Sequence, residues 1–315
     1  MPLPTDPKAL ALSNALLERF DKVNGGVHAG YRPAHAKGAM CAGVFRPAAS
    51  AASLTRAPHA QAETPVTVRF SDFAGIPTIA DNAGEASPRG CAIRFHLGPH
   101  VHTDIVAHSI DSFPVRTAEE FGELLAALGA TTPDQPHPNA IEKFLGAHPA
   151  ALAFVQAPKP IPTSFARESF FAVSAFKFTR ADGSSRFGRY RIVPEAGSEH
   201  LDATAAAART PNFLFDELTQ RIAREPIAYR IMVQLAEPGD TVDDATVRWP
   251  ESRAQVELGR VVLQSLVDDS DAERKRFIFD PIPRVDGIEA SADPLFQPRA
   301  DLYLLSGRRR RAATS

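Results

Sequence analysis

The sequence predicts an α+β fold in which helices are inserted into an antiparallel β-barrel. Three observations support this fold class: at least six segments have strand-like patterns, hairpin turn signals join several of them, and helical patterns separate others. The 315 residues are 44% hydrophobic, which is enough for a sizeable core. No linker divides the chain convincingly, so we expect one domain over residues 1–315 with its core at about 25–310.

The first half of the chain alternates helical and extended patterns. Apolar residues with helical spacing predict a helix over residues 9–23 that ends at Gly25 and Gly26. A loop-rich stretch that contains His35 follows, and strands are expected over residues 66–70, 91–97 and 104–108. Thr117 and Glu120 have the spacing of a capping box and predict a helix through residue 128. Asn139 is a candidate cap for a helix through residue 156, with Pro149 inside it.

The second half continues in the same way. Strands over residues 171–178 and 187–193 flank Asp182-Gly183, which is a strong hairpin turn signal. Thr210 followed by Pro211 predicts the start of a helix that continues to about residue 224. Further strands are expected over residues 229–235 and 256–266, and the last element, residues 293–310, has a helical pattern.

Composition excludes several classes of protein. A formal net charge of −2 argues against a general nucleic-acid binder. No apolar run approaches ~20 residues, so we expect no membrane span, and the N-terminus has no signal-peptide pattern, so we expect a cytoplasmic protein. Cys41 and Cys91 lie in apolar contexts without a CxxC motif, which predicts two buried, reduced thiols.

A tyrosine near the end of the chain carries the clearest chemical signal. Tyrosine is a poor metal ligand at neutral pH because its proton leaves only near pH ~10. On a helix, Arg299 lies one turn before Tyr303, so its positive charge favours the phenolate. Far upstream, His35 stands alone among the basic residues Arg32 and Lys37.

Five motifs, in this order, resemble those of the haem catalases over about residues 25–310. They are Arg32 with residues 35–38, residues 68–71, residues 88–95, residues 279–281 with 287–289, and Arg299 with Tyr303. Full-length catalases are much longer, so the chain is similar instead to the short catalase-related peroxidases. The resemblance therefore implies a catalase-like barrel core that lacks the C-terminal helical domain of full-length catalases.

The resemblance implies a haem b cofactor and assigns the residues around its iron. Tyr303 is the expected axial iron ligand through its phenolate, and Arg299 stabilises that charge. His35 is the expected distal acid–base, which must be a neutral imidazole at rest, and Ser71 is expected to set its tautomer. His108 aligns with the distal asparagine of catalases, which argues against efficient dismutation of hydrogen peroxide; a structural role is its alternative.

The resemblance also implies contacts with the porphyrin. Arg32, Arg69 and Arg310 align with residues that bind the propionates, since guanidinium groups pair well with carboxylates. The neighbours of Arg310 in the run of four arginines, residues 308–311, are alternatives for its role. Phe121 is expected to stack on the porphyrin and Phe113 to line the access channel, with ordinary core positions as the alternatives.

The implied activity is that of a haem-dependent peroxidase. It would reduce organic hydroperoxides, with hydrogen peroxide as a further candidate substrate, through a ferryl intermediate that a small-molecule electron donor returns to the ferric state. Two alternatives use the same fold: rearrangement of a fatty-acid hydroperoxide, as in the catalase-like allene oxide synthases, and a non-catalytic haem carrier or sensor. A homodimer is expected because absent outer domains would leave core surface to be covered.

One loop offers a competing metal site. His96, His100 and His102 form a cluster with His108 nearby, and imidazole groups bind zinc. The segment contains Gly98-Pro99 and has no acidic residue at a metalloprotease spacing, so an exposed polar loop is the favoured interpretation.

Overall fold

A closed antiparallel barrel forms the centre of the molecule, which confirms the expected fold class. The computed structural model describes residues 4–267, 275 and 277–313. The described strands are β1 (Gly38–Pro47), β2 (Thr64–Ser71), β3 (Gly90–Gly98), β4 (Val101–His108), β5 (Ile161–Pro162), β6 (Phe170–Phe171), β7 (Phe176–Thr179), β8 (Ser185–Pro194), β9 (His200–Leu201), β10 (Ile227–Leu235), β11 (Gln255–Leu266) and β12 (Ile288–Ala290).

Eight of these strands close the barrel. They follow the order β10, β11, β1, β2, β3, β4, β6 and β8, and β8 pairs again with β10. Every one of these pairings is antiparallel. β7 and β12 extend the sheet beyond β8, while β5 and β9 form a separate pair. Closure leaves these eight strands without a continuous free edge.

Aromatic side chains fill the inside of the barrel. The ring of Phe70 stacks on Phe165 with centroids 5.2 Å apart and lies 5.9 Å from the ring of Tyr229. The Tyr229 hydroxyl is satisfied in this apolar core because it donates to the Phe165 carbonyl at 2.5 Å. Cys41 and Cys91 are buried free thiols, as predicted, and burial raises the pKa of Cys41 to about 12.

Helices pack against the barrel, and three of them, joined by one apolar cluster, form a layer beside it. The described helices are α1 (Pro7–Val23), α2 (Ala118–Ala130), α3 (Ala140–Ala147), α4 (Pro149–Gln156), α5 (Ala203–Ala207), α6 (Phe213–Ile222) and α7 (Phe296–Ala312). Leu16, Leu125 and Leu302 belong to one apolar cluster that joins α1, α2 and α7. None of the described helices has both the length and the apolar character needed to cross a bilayer.

Several predicted helix boundaries are correct and others are wrong. The capping box of α2 is present: the Glu120 N–H donates to Thr117 Oγ1 at 3.2 Å, and the Thr117 N–H donates to the Glu120 carboxylate at 3.2 Å. The helix predicted from Asn139 to residue 156 is in fact two helices. Asn139 caps α3, but Pro149 begins α4, because proline cannot supply the N–H that a helix interior needs. Likewise, α6 begins at Phe213 rather than directly after Thr210.

Two strand predictions need correction. β1 lies in the stretch expected to be loop-rich, because its many small residues hide the strand pattern. One of them, Gly43, sits at a bulge where a Cβ atom would lie only 2.1 Å from the Val262 carbonyl oxygen of β11. The predicted strand over residues 171–178 divides into β6 and β7, which pair with different parts of β8.

Candidate active site

A largely apolar cavity lies between the barrel and the helical layer. It offers about 200 Å³ in which the centre of a water molecule fits. All ten side chains predicted to form a site line it: Arg32, His35, Arg69, Ser71, His108, Phe113, Phe121, Arg299, Tyr303 and Arg310. The fold therefore brings together residues that are up to 278 positions apart in the sequence.

His35 lies in the segment just before β1 and has an unusual backbone. Its φ is +58°, in the left-handed region that non-glycine residues rarely adopt. The His35 N–H donates to the Phe73 carbonyl at 2.6 Å, and the next N–H, of Ala36, donates to the Ala74 carbonyl at 3.0 Å. The imidazole lies edge-on to the Phe73 ring, with centroids 5.3 Å apart. This segment therefore holds the ring at the cavity wall.

Ser71, the last residue of β2, contacts the His35 ring. Its Oγ lies 3.1 Å from His35 Nδ1. Gly90, the first residue of β3, makes room for this contact, because a Cβ there would lie 2.5 Å from Ser71 Oγ and 2.7 Å from His35 Nδ1. Gly90 lies within the motif at residues 88–95, but the sequence alone did not identify it as a site residue.

Both histidines of the cavity have a strong preference for the neutral form. Burial first, and then the charge of Arg69, lowers the pKa of His35 to about 3. Burial first, and then the charge of Arg299, lowers the pKa of His108 to about 4. Each ring faces the cavity but lies deep in the protein, so at neutral pH both are uncharged imidazoles.

His108 ends β4, and its ring is oriented by the backbone that follows. The Ile110 N–H donates to His108 Nδ1 at 3.3 Å. In the neutral ring the other nitrogen, Nε2, must then carry the proton. The ring centroid lies 6.4 Å from that of Phe113, which in turn lies 5.5 Å from Phe121 on α2.

Helix α7 supplies Tyr303 and Arg299 to the cavity. They are one turn apart, and the central carbon of the Arg299 guanidinium lies 5.9 Å from the centroid of the Tyr303 ring. The helix therefore allows the guanidinium of Arg299 to lie near the ring of Tyr303, as the expected pairing requires. Tyr303 is half-buried.

The guanidinium groups of Arg32 and Arg310 converge on one carbonyl. Both donate to the Phe277 oxygen, at 2.9 Å and 3.1 Å respectively. Arg310 is 3% exposed and also donates to Ser306 Oγ at 2.8 Å, yet its Nε has no hydrogen-bond partner in the described structure. Burial, with repulsion from Arg32 next, lowers the pKa of Arg310 to about 8.

The four arginines of residues 308–311 lie in different environments. Of the four, Arg310 alone lines the cavity. Arg309 instead pairs with Asp21 of α1 at 2.6 Å, and Arg308 and Arg311 are exposed. Arg310 is therefore the member of the run that is placed at the cavity, and its role toward a propionate stays a prediction.

The cavity carries an excess of positive charge. Four arginines line it, namely Arg32, Arg69, Arg299 and Arg310, whereas no aspartate or glutamate is among its described lining residues. Guanidinium groups pair well with carboxylates and other anions. The lining therefore suits an anionic ligand with a large apolar body.

The histidines of the alternative zinc site lie on the β3–β4 hairpin. His96 Nε2 contacts Thr67 Oγ1 at 2.9 Å, and His96 and His102 are cross-strand partners. His100 is in the turn, with φ +59°. Within the described residues, no group of three or more His, Cys, Asp or Glu side chains is placed to hold a metal ion.

Comparison with known proteins identifies the family. The profile of the catalase family matches residues 17–314. The chain belongs to the catalase family. A catalase-related peroxidase of Mycolicibacterium paratuberculosis is 35% identical over 292 residues, which cover 90% of each chain. A catalase-related peroxidase of Synechococcus elongatus is 32% identical over 89% of this chain and 84% of its own.

The fold of the solved catalases is the same. The crystal structure of a fungal catalase superposes with a TM-score of 0.79 at 22% identity, covering 90% of this chain and 60% of the fungal one. The chain thus spans about 60% of the length of that catalase. The expected similarity to short catalase-related proteins is confirmed, and these relatives support an oxidoreductase of the catalase and peroxidase type.

Proposed function

We propose that this chain is a haem-dependent peroxidase that reduces organic hydroperoxides, with haem b as its cofactor. One observation carries the proposal: ten side chains, chosen from separate segments of the sequence, all line one cavity. Tyr303 is the proposed proximal iron ligand, and His35 is the proposed distal acid–base. The proposed functional unit is a single haem-binding domain.

The charges and polar atoms of the cavity fit a haem. Its two propionates would bring carboxylates to the guanidinium groups of Arg32, Arg69 and Arg310, which line the cavity. The free Nε of Arg310 is a buried donor that a carboxylate would satisfy. The Tyr303 phenolate, with Arg299 beside it, would hold the iron from helix α7, and Phe121 would contact the porphyrin face. When bound, the iron supplies the Lewis acidity and the electrons that cleave the O–O bond.

His35 is suited to move the proton of the substrate. Because its pKa is lowered to about 3, the ring is neutral and can accept the proton of a hydroperoxide. It would return this proton to the oxygen that leaves as an alcohol. The contact of Nδ1 with Ser71 leaves Nε2 for this exchange.

His108 is proposed to assist as a hydrogen-bond donor. Its Nδ1 accepts from Ile110, so the neutral ring presents an Nε2–H. That N–H would bond an oxygen of the peroxide or of the departing water or alcohol. Asparagine can do the same through its amide, but His108 adds an aromatic ring beside Phe113.

The walls of the cavity favour an apolar substituent on the peroxide. Phe113 and Phe121 form an aromatic pair, and Phe20 of α1 continues it, with its centroid 5.7 Å from Phe121. An organic hydroperoxide would bury its alkyl or aryl group on the Phe113 side of this wall, whereas hydrogen peroxide has no group to bury. This apolar wall supports the organic substrate class.

The test is product analysis with purified, haem-loaded protein. A peroxidase converts an alkyl or aryl hydroperoxide to the corresponding alcohol and oxidises two equivalents of a one-electron dye. Formation of an isomerised product from a fatty-acid hydroperoxide, without dye oxidation, would instead support the rearrangement activity. No turnover of any hydroperoxide by the loaded protein would support a haem carrier.

The remaining expectations stay predictions. They are a cytoplasmic location, a homodimer, the use of a small-molecule electron donor and the absence of a nucleic-acid partner. Size measurement in solution checks the homodimer, and a screen of reductants with a fixed hydroperoxide identifies the donor.

A further inference from the structure

Four charged residues form a cluster behind the distal wall of the cavity. Asp72, Asp81 and Arg89 are fully buried, and the side chain of Lys37 is 13% exposed. Arg89 donates to the Asp72 carboxylate and to the Asp81 carbonyl, and Lys37 pairs with the Asp81 carboxylate. The cluster contains two cations and two carboxylates, so its formal charges balance. None of the four lines the cavity.

Members of the cluster are close in sequence to each of the three residues that meet at the His35 ring. Lys37 lies two residues after His35, Asp72 follows Ser71, and Arg89 precedes Gly90. In an extended segment successive side chains leave on opposite sides. Ser71 therefore faces the cavity while Asp72 faces away from it, into the cluster.

Backbone bonds connect the same segments. The Asp72 N–H donates to the Lys37 carbonyl at 3.1 Å, next to the bond from His35 to Phe73. Lys37 also donates to the carbonyls of Ile79 at 2.9 Å and Pro211 at 3.0 Å. Asp81 accepts the Leu214 N–H of α6 at 2.7 Å. The cluster thus fixes the segment of His35 to β2, β3 and α6.

The conformation of His35 requires such a support. A left-handed backbone at a non-glycine residue is unfavourable, and it persists only where the surrounding structure determines it. The contact with Ser71 Oγ and the close approach of Gly90 also tolerate little displacement. A shift of the Asp72 or Arg89 backbone would move these neighbours directly.

We propose that Lys37, Asp72, Asp81 and Arg89 are positioning residues that hold the His35 imidazole against Ser71. The cluster touches neither substrate nor cofactor and acts through the backbone of three segments that meet at the His35 ring. This inference deepens the proposed function, since it rests on His35 as the acid–base. Its test, however, reads the His35 ring in haem-free protein and does not depend on peroxide chemistry.

The key variant replaces one ion pair of the cluster by apolar side chains. Asp72→Leu with Arg89→Met removes one charge of each sign, so neither is left uncompensated. The matched control is Asp104→Leu with Arg94→Met. Asp104 is buried and Arg94 is 11% exposed, and they form another ion pair at 2.6 Å. Within the described structure, the side-chain hydrogen bonds and cation–π contacts of this pair include none of the residues that touch His35. Ser71→Ala, which removes the direct contact, is the positive reference.

The measurement is the NMR signal of the ring nitrogens in protein labelled with ¹⁵N-histidine, with His35 assigned from its absence in His35→Gln. We expect Ser71→Ala and the Asp72/Arg89 variant to shift the His35 signals, and the Asp104/Arg94 control to leave them unchanged. In the haem-loaded Asp72/Arg89 variant, kcat should fall roughly 10- to 100-fold with little change in KM.

Unchanged His35 signals in a folded Asp72/Arg89 variant would overturn the proposal. If that variant does not fold, Lys37→Gln decides, because it removes the bonds to Asp81 and Ile79 but keeps the buried Asp72–Arg89 pair. A shift of the His35 signals in Lys37→Gln supports the proposal, and unchanged signals contradict it. If the haem-loaded protein turns over no hydroperoxide but the His35 signals shift in the Asp72/Arg89 variant, the proposed function fails and the positioning role stands.

Discussion

His35 is neutral at neutral pH because burial, with the charge of Arg69, lowers the pKa of its ring to about 3. We therefore predict that His35→Gln keeps haem binding, since the proposed ligand is Tyr303, but lowers hydroperoxide turnover roughly 10²- to 10⁴-fold. Haem absorbance per mole of protein and turnover are measured on the same sample. His137→Gln, at a strongly exposed histidine, is the control. Turnover that survives in His35→Gln would show that another group moves the proton.

Arg310 combines a structural cost with a proposed role in binding. Its guanidinium is buried and its Nε lacks a partner in the described structure, so the haem-free protein bears an incompletely compensated cation. We predict that Arg310→Met stabilises the haem-free protein by about 1–3 kcal/mol and weakens haem binding. Chemical denaturation and haem titration measure the two effects. Arg308→Met, at an exposed neighbour, should change neither. An Arg310→Met protein that is less stable and keeps its haem affinity would contradict both the destabilising effect of the buried cation and the proposed role of Arg310 in haem binding.

At the scale of elements, α2 holds Phe121 at the cavity and depends on its N-cap. Thr117→Ala removes the bond to the Glu120 N–H and should lower the free energy of unfolding by about 1 kcal/mol. Asn139→Ala breaks the equivalent capping box of α3, which supplies no residue to the cavity lining. Thermal melts should show similar losses in the two variants, while haem affinity should fall only in Thr117→Ala. Equal haem affinities would mean that the start of α2 does not position Phe121.

The elements also show what local sequence patterns can specify. The capping box of α2 and the strands β2, β3, β10 and β11 were predictable because their signals are local. β1 was not, since its small residues become a strand only through pairing with β2 and β11. The break between α3 and α4 follows from Pro149. The helical pattern on both sides of this proline had predicted one continuous helix.

The candidate site divides in a similar way. Its ten predicted residues came from the family resemblance, and the structure places them around one cavity. Gly90 and Phe73 were not identified, because their importance lies in distances to His35 that only the folded chain defines. The charged cluster behind His35 was not predicted for the same reason, since its four members come from separate segments and meet only in the folded chain.

At the scale of the whole molecule, buried neutral histidines make stability depend on pH. Burial lowers the pKa of His35 to about 3 and those of His59 and His108 to about 4. Because these values lie below the unfolded value of about 6.5, the unfolded chain binds more protons. The stability that these three histidines contribute is therefore greatest above pH 6.5 and is lost as the pH drops from 6.5 towards 4.

His59 allows the pH effect to be tested away from the cavity, because it packs against Phe45 and Phe95 in the barrel core. We predict that His59→Phe reduces the acid loss by about 3 kcal/mol between pH 6.5 and 4. Urea denaturation of the haem-free protein across this range is the measurement. Parallel curves for the wild type and the variant would show that His59 is not held neutral.

Haem titration of the wild type and of Tyr303→Phe tests the central claim most directly. The wild type should bind one haem per chain and show the absorption band of a ferric, phenolate-ligated haem. Tyr303→Phe should fold normally by circular dichroism and lose this band, whereas Tyr31→Phe, at a tyrosine outside the cavity lining, should keep it. A Tyr303→Phe protein with the same haem affinity and spectrum as the wild type would contradict the account.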